Sequence, residues 1–225
     1  MTALSPHCRL LMVLLYLRCH PSQAVIGRLF GNLSESTVSR ELSFLLPILY
    51  THLPGFDLLN TIPHNSPQYV AVVDCTSHQR NRVHPGQALY YRGDKHCHFI
   101  TAQVVCSVKG QPIQVKLAFG HNNDSGMLRI SGLKHQIMEY NWKFLGDRGY
   151  GTPIVTPRDS RSEQWLLEHA RKRAVVEILI GFFKGWEVAS GRVTLSPGKH
   201  FMSLMVVYKL GNMMLQTYHP TGIRP

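Results

Sequence analysis

Hydrophobic periodicity changes near residue 68, and this change divides the chain into two parts of different architecture. Residues 5–50 carry apolar side chains at helical spacing, whereas the segments after residue 68 begin with short β-branched runs that suit buried strands. Residues 51–68 hold three prolines and predict a linker. The pattern predicts a small helical unit over residues 1–50 and an α/β domain with a mixed sheet over residues 69–225.

Capping residues and turn signals place the individual elements. Helices are predicted at 6–18, 23–30 and 35–46, with Ser34 as the N-cap of the third helix and Pro47 as its end. The predicted strands of the second part are 69–73, 88–91, 99–108, 112–119 and 142–146. The predicted helices of the second part are 125–140, 161–186 and 198–216.

The charge balance points to a polyanionic partner such as nucleic acid. The chain has 24 Lys and Arg against 13 Asp and Glu, a formal net charge of +11. A hydrophobic content of 44% is enough to build a core, which excludes a disordered basic tail. The five cysteines include no CxxC pair, so neither a disulfide scaffold nor a zinc ribbon is expected, and a reducing compartment is favoured.

No segment of the sequence is expected to enter a membrane. The apolar run at residues 10–17 is far shorter than the ~20 residues that a bilayer span needs. The basic and proline-containing segment after it has no small-x-small cleavage pattern, so a secretory signal peptide is not expected either. The sequence predicts a soluble intracellular protein.

The helical part has the layout of a helix-turn-helix motif. A glycine turn precedes a helix whose first turns carry Ser36, Thr37, Ser39 and Arg40. Short polar and basic side chains at this place reach DNA phosphates and base edges, so we predict that Thr37, Ser39 and Arg40 contact DNA. An ordinary helical hairpin with a solvated, serine-rich end fits the same residues.

Two aspartates stand out by their positions relative to predicted strands. Asp74 is predicted to end the strand at 69–73, and Asp147 follows the strand at 142–146. Carboxylates at the exits of neighbouring strands can converge on a divalent cation, because strand ends meet at one rim of a sheet. Each aspartate could instead cap the turn after it, as Asp commonly does.

Glu177 lies on the predicted helix at 161–186, on the same side as Arg173 and Lys184 at about 100° per residue. An apolar stripe occupies the opposite side of this helix and consists of Val175, Leu179, Phe182 and Trp186. Two glycines keep the polar side free of bulk, at about 1 kcal/mol each relative to Ala. The pattern indicates a surface for close approach of a phosphodiester, and the alternative is a solvated helix face with an Arg–Glu ion pair.

Together these residues resemble the acidic triad of the DDE transposases. The matching segments are Val-Val-Asp-Cys-Thr around Asp74, Leu-Gly-Asp-Arg-Gly-Tyr around Asp147 and Arg-x3-Glu-x6-Lys around Glu177. More narrowly, the chain resembles the PIF/Harbinger-type subgroup and its bacterial insertion-sequence relatives, which carry recurring motifs at the places of residues 90–98 and 120–124. The resemblance extends to the helical head.

The resemblance implies an RNase H-like domain in which Asp74, Asp147 and Glu177 are catalytic and hold two Mg²⁺ or Mn²⁺ ions. Asp74 would bridge both ions, and the other two residues would each serve one. The DNA phosphates would be bound by Arg148, Arg173 and Lys184. Two hard cations supply the activated water and the charge neutralisation that phosphodiester cleavage needs, and Mg²⁺ prefers carboxylate oxygens.

The resemblance also implies an activity and partners. The activity is that of a metal-dependent DNA endonuclease and strand-transferase, acting as a homo-oligomer on transposon ends and target DNA, with an accessory Myb-like DNA-binding protein. A eukaryotic protein of this kind would act in the nucleus, and a bacterial one in the cytoplasm. Two alternatives stay open. One is a domesticated, catalytically silent DNA-binding protein derived from a transposase, and the other is an unrelated helix-turn-helix regulator, which leaves the acidic spacing unexplained.

Overall fold

The first part of the chain is helical in the computed structural model, which describes residues 4–62, 68–160 and 162–219. Its helices are α1 (Pro6–Cys19), α2 (Gln23–Leu29), α3 (Glu35–His52) and α4 (Leu58–Thr61). Serine side chains accept backbone N–H bonds at the starts of α1, α2 and α3, which fixes where these helices begin. No helix in the described ranges is long and apolar enough to cross a bilayer.

The second part combines strands and helices. The strands are β1 (Tyr69–Arg80), β2 (Tyr91–Arg92), β3 (Cys97–Ser107), β4 (Pro112–Phe119) and β5 (Lys143–Leu145). The helices between and after them are α5 (Gln87–Tyr90), α6 (Asp124–Ile130), α7 (Leu133–Glu139), α8 (Glu163–Lys184), α9 (Glu187–Ser190) and α10 (Pro197–Tyr218).

Strand β1 lies at the centre of a mixed sheet. It pairs antiparallel with β3 on one side, where Arg80 lies opposite His98, and parallel with β5 on the other, where Val72 lies opposite Leu145. Strands β2 and β4 both pair antiparallel with β3. The prediction of a mixed-sheet α/β domain behind a helical head is confirmed, and this strand arrangement is consistent with an RNase H-like fold.

Alternate residues of β1 fill clusters on opposite faces of the sheet. Ala71 and Val73 pack on the face covered by α6 and α7, whereas Val72 packs on the face covered by α8 and α10. Burial on both faces explains why this stretch of the strand is a continuous apolar run without alternation.

A third apolar cluster joins the helical head to the α/β domain. Its members from the head are buried side chains of α1, α2 and α3, among them Met12, Ile26 and Leu42. They pack with buried side chains of the C-terminal region, including Val188 and Leu204. The head and the sheet domain therefore share a core.

The third helix is longer than predicted, because α3 continues through Pro47 to His52. Leu49 packs into the shared cluster, and Lys209 Nζ on α10 donates to the carbonyl oxygens of Tyr50 (2.6 Å) and Leu53 (3.1 Å). This tertiary support outweighs the hydrogen bond that proline removes. The stretch predicted as a linker, residues 51–68, accordingly begins inside α3 and includes α4, while residues 63–67 lie outside the described part.

Other predicted boundaries were wrong for local reasons. The stretch at 88–91 is mostly helical, as α5, and follows Gly86 in a left-handed conformation. The single helix expected at 125–140 is two helices, broken by Gly132 with a φ of 75°. In α8 the buried aromatic residue is Phe183 instead of the predicted Phe182, and Trp186 lies beyond the end of the helix.

Strand β1 is also longer than predicted, so Asp74 lies inside the strand and not at its end. The pairing with β3 continues to Arg80. The polar residues of this second half, such as His78, are buried by α9 and α10, which the local sequence does not reveal.

Candidate functional site

Asp74 and Asp147 meet where β1 runs parallel to β5. Because Val72 is in register with Leu145, a step of two residues along each chain brings the two aspartates together on one face. Asp147 lies just past the end of β5, and its Oδ1 accepts the backbone N–H of Gly149 at 2.8 Å. The electrostatic effect of Asp147 on Asp74 agrees with this proximity.

Asp74 is the more buried carboxylate, with 18% of its side chain exposed. Burial raises the pKa of Asp74 to about 6. Arg173 and the backbone N–H of Cys75, at 2.8 Å from Oδ1, act in the opposite direction, while Asp147 and Asp124 raise the pKa further. A buried carboxylate among other carboxylates favours a cation beside it.

Asp124 is a further carboxylate of this site and was not among the site residues predicted from the sequence. It is the first residue of α6, and its charge interacts with those of Asp74 and Asp147. A Cβ at Gly149 would collide with the Asp124 carboxylate and would lie 3.1 Å from Asp147 Oδ1. Gly149 thus leaves the space in which two carboxylates approach each other.

Short-range bonds hold Asp124 in place. Asn123 caps α6 by accepting the N–H of Gly126 at 2.9 Å, and Ser125 Oγ donates to the carbonyl oxygen of Gly149 at 2.9 Å. The start of α6 is therefore tied to the loop that follows Asp147. The signal for Asp124 was present in the sequence, because it closes the motif at residues 120–124.

Glu177 reaches the site through Arg173. Helix α8 packs on β1, and Arg173 Nη1 lies 3.6 Å from Asp74 Oδ2. The same guanidinium forms an ion pair with Glu177, one turn further along α8. Two contacts across one guanidinium keep the carboxylates of Asp74 and Glu177 within about 10 Å of each other. Glu177 remains more open than Asp74, with 54% of its side chain exposed.

The structure therefore brings Asp74, Asp147 and Asp124 together and holds Glu177 at their edge. Within the described ranges, no three His, Cys, Asp or Glu side chains are already grouped tightly enough to hold a metal ion. The chemistry of the donors fits a hard divalent cation, because carboxylate oxygens are the ligands that Mg²⁺ prefers. Arg173 carries a positive charge between two of these carboxylates.

Two of the predicted phosphate-binding residues, Arg148 and Lys184, follow Asp147 and Glu177 along the chain. Arg148 follows Asp147 directly and is exposed. Lys184, the last residue of α8, is half-buried, and burial followed by the charge of Lys95 lowers its pKa.

Two basic residues that were not predicted from the sequence lie near Asp124. Arg92 Nη1 and Lys95 Nζ both donate to Ser77 Oγ, at 3.0 and 3.4 Å. Their charges act on Asp124 and lower its pKa, against the larger effects of burial and Asp147. The turn between β2 and β3 thus adds positive charge at the rim of the carboxylates.

The predicted DNA-contacting residues of the head lie on the first two turns of α3. Ser34 Oγ accepts the N–H of Thr37 at 3.2 Å and caps the helix. Arg40 is exposed, whereas Thr37 and Ser39 are half-buried. Val38, between them, is fully buried, as the helix-turn-helix pattern requires.

Comparison with known proteins finds a matching family model for each part of the chain. No curated protein matches it. Residues 2–55 match a family model described as the helix-turn-helix of DDE superfamily endonuclease. Residues 73–212, more than half of the chain, match the model of DDE superfamily endonuclease itself, and this range includes all four acidic residues described above. The chain therefore belongs to the DDE superfamily endonucleases.

Proposed function

We propose that this protein is the metal-dependent DNA endonuclease and strand-transferase of a Harbinger-like transposase. The observation that carries the proposal is the meeting of Asp74, Asp147 and Asp124 beside the Arg173–Glu177 pair of α8. Carboxylates on separate elements, crowded in a partly buried place, suit the binding of hard divalent cations.

In this proposal Asp74, Asp147 and Glu177 hold two Mg²⁺ or Mn²⁺ ions, and Asp124 adds a fourth carboxylate. The bound ions supply an activated water and neutralise charge on the scissile phosphate. The chain itself orients the ligands, since backbone N–H groups of Cys75 and Gly149 fix the carboxylates that accept them.

Binding of DNA is divided between the head and the catalytic domain. Thr37, Ser39 and Arg40 contact DNA from α3, and the phosphates near the carboxylates are bound by Arg148, Arg173 and Lys184, with Arg92 and Lys95 beside them. The net charge of +11 supports a polyanionic partner. The substrates are transposon ends and target DNA, bound by a homo-oligomer with an accessory Myb-like DNA-binding protein, in the nucleus, or in the cytoplasm for a bacterial source.

A catalytically silent DNA-binding protein is the second candidate. The observation in its favour is the position of Arg173, whose guanidinium forms ion pairs with both Asp74 and Glu177. Such a protein would keep the fold and the basic surface and would need no cation.

Nicking of supercoiled DNA with Mg²⁺ or Mn²⁺ separates the two candidates. Asp147→Asn and Glu177→Gln should abolish nicking while DNA affinity persists or rises, because each removes negative charge that faces phosphate. Glu168→Gln is the matched control, since Glu168 is exposed on the same helix and pairs with Lys172 away from the site. Wild-type nicking by Glu177→Gln would remove that residue from the site, and DNA binding without nicking by the wild type would favour the silent protein.

A further inference from the structure

An open pocket of about 360 Å³ lies at the C-terminal end of β1. It is lined by Arg82, Gln87, Ala88, Tyr91 and His98. The last residue of β1, Arg80, pairs with His98 and lies six positions beyond Asp74, or about 20 Å along an extended strand. The pocket is therefore separate from the carboxylate site.

Arg82 lines this pocket, and Arg80 lies opposite His98, which also lines it. Arg192 precedes Val193, which bridges to Arg80, so three arginines lie near this end of β1, and after burial their charges lower the pKa of His98. None of the three forms an ion pair with an acidic residue in the part of the chain that the structure describes. An uncompensated group of cations at one opening is a binding site for an anion.

Arg80 strengthens this argument because it is buried. Only 4% of the residue is exposed. Its guanidinium lies over the ring of Tyr90, and its Nη2 donates to the carbonyl oxygen of Leu195 at 2.9 Å. Its Nη1 is buried and has no hydrogen-bond partner. A buried guanidinium without a counter-charge is costly, and an anion bound nearby relieves that cost.

The other side chains around the pocket suit a nucleobase. Tyr91 is 41% exposed, and its ring lies 5.4 Å from that of His98, between centroids, at a tilted angle. The side-chain amide of Gln87 makes no hydrogen bond to the described residues and offers one donor group and one acceptor to a base edge. A bare phosphate needs neither an aromatic ring nor an amide, whereas a nucleotide uses both.

We propose that this pocket binds one unpaired nucleotide of a DNA strand. Arg82 holds its phosphate, and the base stacks on Tyr91. The inference rests on the proposed function, in which DNA is the substrate. Stacking on Tyr91 requires a base that is free of its pairing partner, so the pocket selects DNA that is single-stranded at a distance from the cleaved bond.

Equilibrium binding without metal tests this proposal. The probes are a fluorescein-labelled oligothymidine and a labelled duplex of the same length, measured by fluorescence anisotropy. Arg82→Ala and Tyr91→Ala should each weaken binding of the single strand about tenfold, as expected for one lost phosphate contact or one lost base stack, and weaken duplex binding less than threefold. Tyr91→Phe should bind both probes as the wild type does.

Lys109→Ala is the control for loss of charge. Lys109 lies in the turn after β3, at the opposite end of that strand from His98, and is exposed. Removal of this charge should weaken the binding of both probes equally and only slightly. Equal losses on both probes for Arg82→Ala and Tyr91→Ala would overturn the proposal, and so would an unchanged single-strand affinity in Tyr91→Ala.

The same measurement keeps this proposal distinct from the proposed nuclease function. Asp147→Asn should bind oligothymidine at least as tightly as the wild type, because the pocket lies away from the carboxylates. If the wild type fails to nick DNA but the Tyr91→Ala loss is selective for the single strand, the pocket stands and the nuclease function fails. If nicking is metal-dependent and Tyr91→Ala weakens binding of the single strand and the duplex equally, only the pocket proposal is refuted.

Discussion

Replacing Arg173 with Met should strengthen the binding of divalent cations to this protein. The guanidinium of Arg173 contacts Asp74 at 3.6 Å and pairs with Glu177, so it occupies the space between two proposed ligands. Methionine keeps an apolar stem for packing on β1 and removes the positive charge that an entering cation would meet. Arg173 and the metal compete for the same carboxylates.

The structure allows the size of this effect to be estimated. Two unit charges about 4 Å apart interact by about 1 kcal/mol in water, so a guanidinium repels a divalent ion at that distance by about 2 kcal/mol. The repulsion energy in water is the suitable lower bound, because 21% of the Arg173 side chain and 18% of the Asp74 side chain are exposed. The expected change is therefore roughly a thirtyfold lower Kd for the metal.

Mn²⁺ binding followed by electron paramagnetic resonance measures this change directly. The titration belongs at about pH 8, where Asp74, with its pKa near 6, is ionised and protons compete little. Lys172→Met is the control, since it removes the same charge from the same helix. Lys172 pairs with Glu168 and not with a proposed metal ligand. An equal or higher Kd for Arg173→Met would refute the competition and would mean that Arg173 positions the carboxylates for the metal.

Gly149→Ala should displace the Asp124 carboxylate and lower metal-dependent nicking at least tenfold, whereas Gly151→Ala, whose Cβ would meet nothing within 4 Å, should leave nicking unchanged. Arg40→Ala should weaken binding of all DNA sequences alike and lower the salt slope by about one unit, as measured by anisotropy over a range of salt concentrations. His78 is fully buried with its pKa lowered to about 4, so the unfolded chain binds a proton that the folded chain does not. The contribution of His78 to the free energy of unfolding should fall by about 3 kcal/mol between pH 6.5 and pH 4, and urea titrations of His78→Gln should show a smaller fall than those of the wild type.

Elements with strong local signals were predicted closely. The bounds of β4 agree with the expected 112–119, because the β-branched run there has a turn at each end. Helix α10 differs from the expected 198–216 by one or two residues at each end. Local patterning was sufficient in these segments because their neighbours do not oppose it.

Elements that depend on distant contacts were predicted less well. Strand β1 was expected to end at residue 73, where the apolar run ends, yet it continues to Arg80. Its second half is polar in sequence but buried in the fold, and His78 is satisfied by the carbonyl oxygen of Ala189 (2.7 Å) and the hydroxyl of Tyr208 (2.8 Å). Residues more than a hundred positions away supply these partners, so no window of local sequence could indicate them.

The candidate site shows the same division. Asp147 was correctly placed at a strand exit, and the proximity of Asp74 follows from the parallel register of β1 and β5 although Asp74 is not at a strand end. Asp124 closes the motif at residues 120–124, but an acidic residue at the start of a helix is also favoured by the helix dipole. Its interaction with Asp74 and Asp147 and the approach of Gly149 identify it as part of the site.

In the proposed function, the packing of the head connects DNA binding by α3 with the carboxylate site. Arg18 at the end of α1 donates from Nη1 to the carbonyl oxygen of Gly185 at 2.5 Å, and its guanidinium lies over the ring of Trp186. These two residues directly follow α8, the helix that carries Arg173 and Glu177. Because the head and the C-terminal helices also share one apolar cluster, a DNA duplex held by α3 would be presented to the carboxylates in one orientation. In that proposal, the position of the scissile phosphate would be set by this packing.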